Sequence, residues 1–319
     1  MTRKKRKYHR VTQPSTLDFF RRFPTEDSAR EYLINARWPG GVVCPHCGHD
    51  EAWRLRDGKL FTCKGCRKQF TVRSGTVMHR SPVPLQKWLL AMYLFGIHSK
   101  GVASTQMAAL LGVTQKTAWH MDHRLREAFA SGDMRFSGIV EVDETYIGGK
   151  EKNKHAKKRR KAGRGTVGKM AVMGLLQRDG HVEAFPVDNV DKDTLSGAVN
   201  KRVAAGSKVF TDDSKAYNGL NKSLRHKSVI HSAGEYVRGE VHTNSIEGVW
   251  ALIKRSYYGV YHYWSSQHLH RYINEIVQRH NMRTIPAFGD GDGSEITMIR
   301  LMMGKLEGRR LTYKELTRG

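Results

Sequence analysis

Three acidic residues, each in a setting that could fix it in space, are the chemically most pointed feature of this sequence. Asp143 stands in the strand-like run Ile139-Val140-Glu141-Val142-Asp143, and Asp212 closes a second such run, Lys208-Val209-Phe210-Thr211-Asp212. Glu247 lies in His242-Thr243-Asn244-Ser245-Ile246-Glu247-Gly248-Val249-Trp250-Ala251-Leu252-Ile253-Lys254-Arg255. Read as a helix, this stretch gathers Ile246, Val249, Trp250, Ile253 and Tyr257 on one apolar face, with Asn244, Glu247, Ala251 and Lys254 in a stripe beside it. Such a helix can dock on a core and still turn a carboxylate and a cation into a cleft. Chemistry at phosphorus with bound Mg²⁺ needs several hard oxygen ligands brought from different parts of a fold. Two divalent ions roughly 3.5 to 4 Å apart activate an attacking oxygen and stabilise a leaving one, and Asp143, Asp212 and Glu247 are read as their ligands. Lys254, two helical turns beyond Glu247, is placed to hold a phosphate beside the scissile bond. Strand alternation alone does not choose between Asp143 and Glu144, or between Asp212 and Asp213. Glu144 and Asp213 read as surface charges.

A second constellation is made of cysteines. All four in the chain fall in one short segment, Cys44-Pro-His-Cys47 and Cys63-Lys-Gly-Cys66, separated by fifteen residues that carry Gly48, Asp57-Gly58 and strand-like alternation. Each Cys-x-x-Cys can form a knuckle, and the hairpin between them lets four thiolates close a tetrahedral site on one Zn²⁺. Two disulfides or a redox dithiol are the rival readings, and the matched spacing favours zinc. Four thiolates leave no open coordination position, so this zinc is structural. His46 and His49 then read as surface residues. Whether the ribbon touches DNA or only holds the N-terminal region together stays open.

The whole chain must position these groups and supply a partner. Its 319 residues suit two or three domains, and 55 Lys and Arg against 30 Asp and Glu give a net charge of +25, which points to a polyanion and to nucleic acid before a membrane surface. No apolar run reaches the roughly 20 residues of a membrane span, and the basic start lacks the apolar stretch of a secretory signal, so a soluble cytoplasmic protein is expected. Residues 1–37 read as a basic arm followed by helices, 38–75 as the zinc ribbon and 83–132 as a helical domain. Within the last, Ser104 to Gly112 and a second helix capped by Thr114 resemble a helix-turn-helix, with Gln115, Lys116 and Thr117 exposed for DNA; a plain helical bundle is the alternative. From Gly138 the pattern becomes strand-like. Strands over Ile139–Ile147, Met170–Gln177 and His181–Val187, a helix over Lys192–Val203, strands at Lys208–Thr211 and Ser228–His231 and two closing helices follow the order of an α/β ribonuclease H-like sheet over 137–285. Between its first two strands, residues 150–169 hold ten Lys or Arg against one Glu, including Lys157, Lys158, Arg159, Arg160 and Lys161. This insertion is expected to be an extended loop on the DNA backbone, as Lys254 and Arg255 are expected to contact DNA. The aromatic run from Tyr257 to Trp264 reads as core rather than as a base-stacking surface. Residues 286–319 remain a basic tail.

Several motifs, in order, carry a resemblance to a known family. Arg37-Trp-Pro-Gly-Gly-Val-Val-Cys-Pro-His-Cys47, Val142-Asp-Glu-Thr-Tyr-Ile-Gly-Gly149, Thr211-Asp212 followed by Ala216-Tyr217, and His242-x-Asn-x-x-Glu247-x-x-Trp250 resemble bacterial insertion-sequence transposases of the DDE class that carry an N-terminal zinc ribbon, the group related to Merlin elements. The 34 residues between Asp212 and Glu247 are similar to the DDE spacing. The resemblance implies a ribonuclease H-like catalytic domain and two Mg²⁺ or Mn²⁺ ions. It also implies binding to the double-stranded DNA of the terminal inverted repeats and of a target, and work as a homodimer or larger homo-oligomer at nucleoid DNA. The family motifs favour Asp143 and Asp212 over their neighbours. Relatives often carry Asn at the third acidic position, so Asn244 and Glu247 are both candidates, with Glu247 preferred as the better ligand and Asn244 assisting. A zinc-ribbon transcription regulator would leave the carboxylates without a purpose, and a ribonuclease H-like nuclease would not need the modules upstream.

Overall fold

The computed structural model describes residues 15–129, 134–149, 151–159, 165–178, 180–220, 222–230, 233–284, 299, 302–303 and 307–318. The basic arm expected over 1–14, and Arg160 and Lys161 of the insertion, lie outside these residues. The chain divides into two units, one of Arg10–Phe129 with Ala287–Gly319, the other of Ala130–Pro286 with Met1–His9.

In the first unit, α1 (Thr16–Arg22) and α2 (Glu26–Arg37) are both started by capping boxes, from Ser15 and Thr25. A three-stranded antiparallel ribbon follows, β1 (Ala52–Arg54), β2 (Phe61–Cys63) and β3 (Gln69–Phe70). Its small core is aromatic, with Trp38 edge-on to Phe61 and Phe70, which stack on each other at 5.6 Å. Helix α3 (Leu85–Ile97) begins at Pro84, which has no side chain to cap it. Glu26 of α2 supplies the cap instead, its two carboxylate oxygens accepting the N–H groups of Leu85 and Gln86 at 2.8 and 3.1 Å. Helices α4 (Ser104–Leu111) and α5 (Gln115–Glu127) are joined through Gly112, whose left-handed φ of 58° lets the chain turn there.

The C-terminal segment, uninterpretable from sequence, joins this same unit. Arg37 Nε donates to Glu307 at 2.6 Å, Gly308 N–H to the Gly75 carbonyl at 2.9 Å, and Arg309 to the Glu127 carbonyl. Helix α9 (Tyr313–Thr317) buries Leu316. A strap that bonds to both the ribbon and α5 is held by backbone carbonyls and isolated side chains, which leave no periodic signal in a sequence.

The second unit is built on a mixed five-stranded sheet. In chain order it has β4 (Ile139–Ile147), β5 (Met170–Gln177), β6 (Val182–Val187), α6 (Lys192–Arg202), β7 (Lys208–Thr211), β8 (Arg225–Ser228), α7 (Asn244–Ser256) and α8 (Leu269–Thr284). The strand order is β6-β5-β4-β7-β8, with the first three antiparallel and β7 and β8 parallel to β4. Helices cover both faces. Val140, Val142, Met173 and Leu175 pack with Leu195 and Val199 of α6, while Ile147, Val172 and Leu176 pack with Ile246, Val249, Trp250 and Ile253 of α7 and with α8. This is the alternation a half-buried strand requires on each side. The last strand lies three residues earlier than expected. The apolar Val229-Ile230 suggested a strand at Ser228–His231, but the polar Arg225–Ser228 forms the sheet edge, where its outward side chains meet water. No helix among the described residues is long and apolar enough to cross a membrane.

Candidate active site and metal centres

The ribbon hairpin brings the two Cys-x-x-Cys knuckles face to face. Cys44 and Cys66 stand 3.7 Å apart at sulfur and Cys47 and Cys63 3.6 Å, with all four sulfurs within 4.8 Å of one another. A disulfide would need about 2.05 Å, whereas a tetrahedron with Zn–S of about 2.3 Å has edges of about 3.8 Å. The spacing therefore fits a cation at the centre. The N–H groups of His46 and Cys66 point at the sulfurs of Cys44 and Cys63, at 3.4 Å each. Despite its burial, the Cys63 thiol is drawn down to about 6 by the Cys66 N–H and by Cys47 and Cys44. Cys66, despite the Lys68 N–H, is driven up to about 11 by burial and by the three other sulfurs. Four sulfurs this close cannot all ionise without a cation among them.

The carboxylate site forms where β4 outruns its parallel partner. Pairing between β4 and β7 stops at Glu141 opposite Phe210. Beyond it Asp143 and Glu144 have no β7 neighbour, and the chain leaves the end of β7 through Asp212. Both consecutive residues of β4 can then reach the same space from opposite faces. Ligand oxygens of Asp143, Glu144 and Asp212 lie within 4.8 Å of one another. This corrects the sequence reading of Glu144 as a surface charge. Asp213 is exposed.

Two side chains hold these carboxylates in place. Trp250 Nε1 donates to Asp143 Oδ2 at 2.8 Å, and Tyr217 Oη donates to Glu144. Burial, and then the charges of Asp212 and Glu247, lift Asp143 to about 6, although the Trp250 hydrogen bond opposes this. Burial likewise lifts Glu144 to about 7, with Tyr217 opposing and Asp143 and Asp212 adding to it. The Tyr217 hydroxyl is held well above its ordinary range by burial and by Glu144. Crowded, half-dehydrated carboxylates with depressed acidity are what a hard dication neutralises.

Helix α7 is set on the sheet by a device invisible in the spacing of the acids. Thr243 gives it no side-chain cap. Instead Glu141, wholly buried on the same face of β4 as Asp143, accepts the N–H groups of Ser245 and Ile246 at 2.9 and 3.1 Å. Arg178 neutralises Glu141 at 2.7 Å and also donates to the carbonyls of Glu240 and His242. The His242 ring is kept below its usual pKa by burial and by Arg178. Gly174, opposite Asp143 in the β4–β5 register, is the second requirement. A Cβ there would lie 2.5 Å from Cη2 of Trp250 and 2.9 Å from Ile246, so only glycine lets the indole lie on the sheet and reach Asp143.

The remaining residues singled out from sequence are placed as follows. Glu247 projects from the first turn of α7, half-buried, and accepts a hydrogen bond from Thr243 Oγ1 at 3.1 Å; its charge reaches Asp143, but it is outside the close carboxylate group. Asn244, Lys254 and Arg255 are exposed on the same helix. In the insertion, Glu151 to Asn153 and Ala156 to Lys158 form short 3-10 turns rather than an extended loop, because the buried Glu151 pairs with Lys154. Lys157 and Arg159 are exposed. On α5, Gln115 Nε2 donates to Ser104 Oγ at 2.9 Å, Thr117 bonds Thr114 at 2.9 Å, and Lys116 lies 4.6 Å from the centre of the Tyr313 ring. The aromatic run divides, with Tyr257 and Trp264 buried and Tyr258 and Tyr263 exposed. Sequence reasoning overlooked the work of Glu141, Glu144, Tyr217 and the Trp250 N–H. Its available signal was that Glu144, Tyr217 and Trp250 all sit inside the motifs of the acids.

Comparison with known proteins agrees with this chemistry. Residues 135–281 match a family model described as an ISXO2-like transposase domain, and residues 24–69 one described as a transposase zinc-ribbon domain. An uncharacterized protein in transposable element ISH50 of Halobacterium salinarum is 30% identical over 247 residues, a span covering 73% of this chain and 83% of that one. In shape the chain has slight likenesses, at 12% identity, to crystal structures of a pre-cleavage Mos1 transpososome (TM-score 0.22, 58% of this chain and 74% of that one) and of the Mos1 strand transfer complex (TM-score 0.19, 56% and 71%). The two domain matches and the ISH50 relative place the chain in the IS1595 family of DDE transposases with an N-terminal zinc ribbon.

Proposed function

We propose that this transposase binds the terminal inverted repeats of its own insertion sequence and carries out metal-dependent DNA cleavage and strand transfer from the site around Asp143. The convergence of Asp143, Glu144 and Asp212 at the open end of the β4–β7 pair carries this reading. Mg²⁺ or Mn²⁺, as two ions, would supply Lewis-acid stabilisation of the attacking and leaving oxygens of an in-line displacement at phosphorus. Asp143 and Asp212 would hold them, with Glu247, which now accepts from Thr243, as the third ligand. A second reading, favoured by its position in the carboxylate group, makes Glu144 that third ligand, with Tyr217 orienting it. Asn244 assists beside the site. Trp250 orients Asp143, and the Glu141–Arg178 pair sets the angle at which α7 presents Glu247 and Lys254. Lys254 steadies the phosphate next to the one attacked. Water cuts each end, and the 3′-hydroxyl so released attacks the target strand, with no protein nucleophile.

The sheet is of ribonuclease H-like type, its order of strands and covering helices being the support for that. The cysteine cluster holds one structural Zn²⁺. Helices α4 and α5 act as a helix-turn-helix, with Gln115, Lys116 and Thr117 at the start of the second, and Lys157, Lys158, Arg159 and Arg255 contact the DNA backbone. Double-stranded DNA, both element ends and target, is the partner. The protein works as a homodimer or larger homo-oligomer in the cytoplasm.

The test is a strand-transfer assay with labelled element ends and a plasmid target. Joined products that require Mg²⁺ and vanish in Asp212→Asn, with end binding retained, support the reading. Turnover by Asp212→Asn would remove that residue from the site, while comparison of Glu247→Gln with Glu144→Gln assigns the third ligand to whichever loses activity.

A further inference from the structure

The first unit contains a cleft of about 480 Å³ walled by α2, the turn of the ribbon hairpin, residues 71–81 and the start of α3. Its charged lining is Arg30, Lys59, Arg73, His79 and Arg80 against the single acid Glu26. That acid is already engaged. Both its oxygens accept the first N–H groups of α3, and Arg73 stands 3.5 Å away. Arg30 is tied to Asp27. Lys59 and Arg80 are both exposed; the exposed Asp57 accepts the Lys59 backbone N–H at 2.9 Å and feels its charge, and among the described residues neither cation forms a salt bridge within the lining.

Arg80 is also held in an uncommon conformation. Its φ of 54° is left-handed, which it shares with only two other non-glycine residues among those described, Arg67 and His262. The carbonyls on either side of it are pinned by guanidinium groups, that of His79 by Arg124 at 2.6 Å and that of Ser81 by Arg73 at 2.6 Å. Backbone strain maintained by its surroundings is a mark of a ligand clamp. The charges that act on His79 are all positive. Burial, and then Arg310, Arg80, Arg124 and His46, hold the His79 ring below its ordinary pKa.

We propose that this cleft binds a phosphodiester group of DNA, with Lys59 and Arg80 contacting the phosphate and Arg73 and Arg124 fixing the backbone that presents Arg80. The proposal rests on the reading of the chain as a DNA transposase and adds to it a place where the ribbon and α3 together grip one strand. A phosphate within a strand is favoured over free phosphate because the cleft, at about 480 Å³, is larger than a single phosphate group fills and its two exposed cations come from different segments of its wall.

The experiment uses the full-length, zinc-loaded protein and a fluorescent duplex carrying an element end, with anisotropy measured from low to high salt. The Lys59→Ala/Arg80→Ala double variant is compared with wild type and with the charge-matched Lys201→Ala/Lys222→Ala, both changes lying on exposed residues of the second unit. Removing two phosphate contacts should weaken end binding about tenfold or more and lower the slope of log K against log salt by about 1 to 2. The control should keep the wild-type slope, and thermal melting should show both variants folded. Wild-type affinity and slope in the cleft variant would overturn the proposal while leaving the transposase reading standing. A wild-type protein that binds no DNA at all would instead remove the reading on which the proposal rests. Added deoxynucleoside monophosphate should not bind; saturable binding of it, lost in the cleft variant, would mean that the site serves a free nucleotide and would overturn the assignment to DNA.

Discussion

Asp143→Asn should inactivate the enzyme and, without divalent ions, make its catalytic unit more stable. Burial with the nearby charges of Asp212 and Glu247 lifts Asp143 from an ordinary 3.8 to about 6. At about 1.4 kcal/mol per pH unit, this corresponds to a destabilisation of about 3 kcal/mol when the group is charged and no cation is bound. The direction follows from proton linkage. A folded-state pKa above the unfolded one means that the native state holds the proton more tightly, so stability is greatest below the unfolded value and is lost as pH rises through the folded one. The deficit is about 3 kcal/mol at pH 8 and about half that at pH 5. Glu144, lifted to about 7, acts in the same sense, and because the two share one repulsion their deficits do not simply add. Asparagine keeps an oxygen to accept from Trp250 Nε1 and discards the charge. Scanning calorimetry in zinc-containing, Mg²⁺-free buffer should therefore show a gain of about 2 to 3 kcal/mol for the variant at pH 8, shrinking toward acid. Saturating Mg²⁺ should stabilise wild type and leave the variant almost unchanged. A variant no more stable than wild type at pH 8 without Mg²⁺ would refute the reasoning.

Three further outcomes are expected. Glu141→Ala removes the carboxylate that pairs with the partly buried Arg178 and uncaps α7, and should destabilise the catalytic unit by about 2 to 4 kcal/mol in urea denaturation; a loss under 1 kcal/mol would show that the cap is dispensable. Gly174→Ala drives a methyl into Trp250 and should cost about 1 to 3 kcal/mol and depress strand transfer more than end binding, read by comparing the two assays; normal activity would mean that the indole can move without displacing Asp143. Cys63→Ser should abolish stoichiometric zinc in metal analysis and unfold the ribbon while leaving Mg²⁺ stabilisation of the catalytic unit intact, and a variant that retains zinc would argue against the four-thiolate site.

Much of this protein is legible without coordinates, because the decisive signals are local. Cys-x-x-Cys pairs announce their knuckles, and the apolar stripe of 246, 249, 250 and 253 announces which side of α7 is buried. The strand-like pattern of Ile139–Ile147 announces the first strand of the sheet. These depend on neighbours a few residues away, whose spacing is fixed by helix and strand geometry. The charge of the chain and the order of its motifs likewise belong to the sequence alone.

What only the tertiary structure decided depends on pairs far apart in the chain. Alternation puts Asp143 and Glu144 on opposite faces and so argues against their sharing a site; they meet because β7 ends short of them, a fact of strand register. Glu141 looks like one more acid in a strand, and its role appears only when Arg178 and the N-terminus of α7 arrive beside it. The C-terminal segment carries no pattern at all until Arg37, Gly75 and Glu127 bind it. Residue type and periodicity determine what each segment can be, whereas the burial of a charge and the capping of a helix by a distant carboxylate depend on which segments the fold brings together.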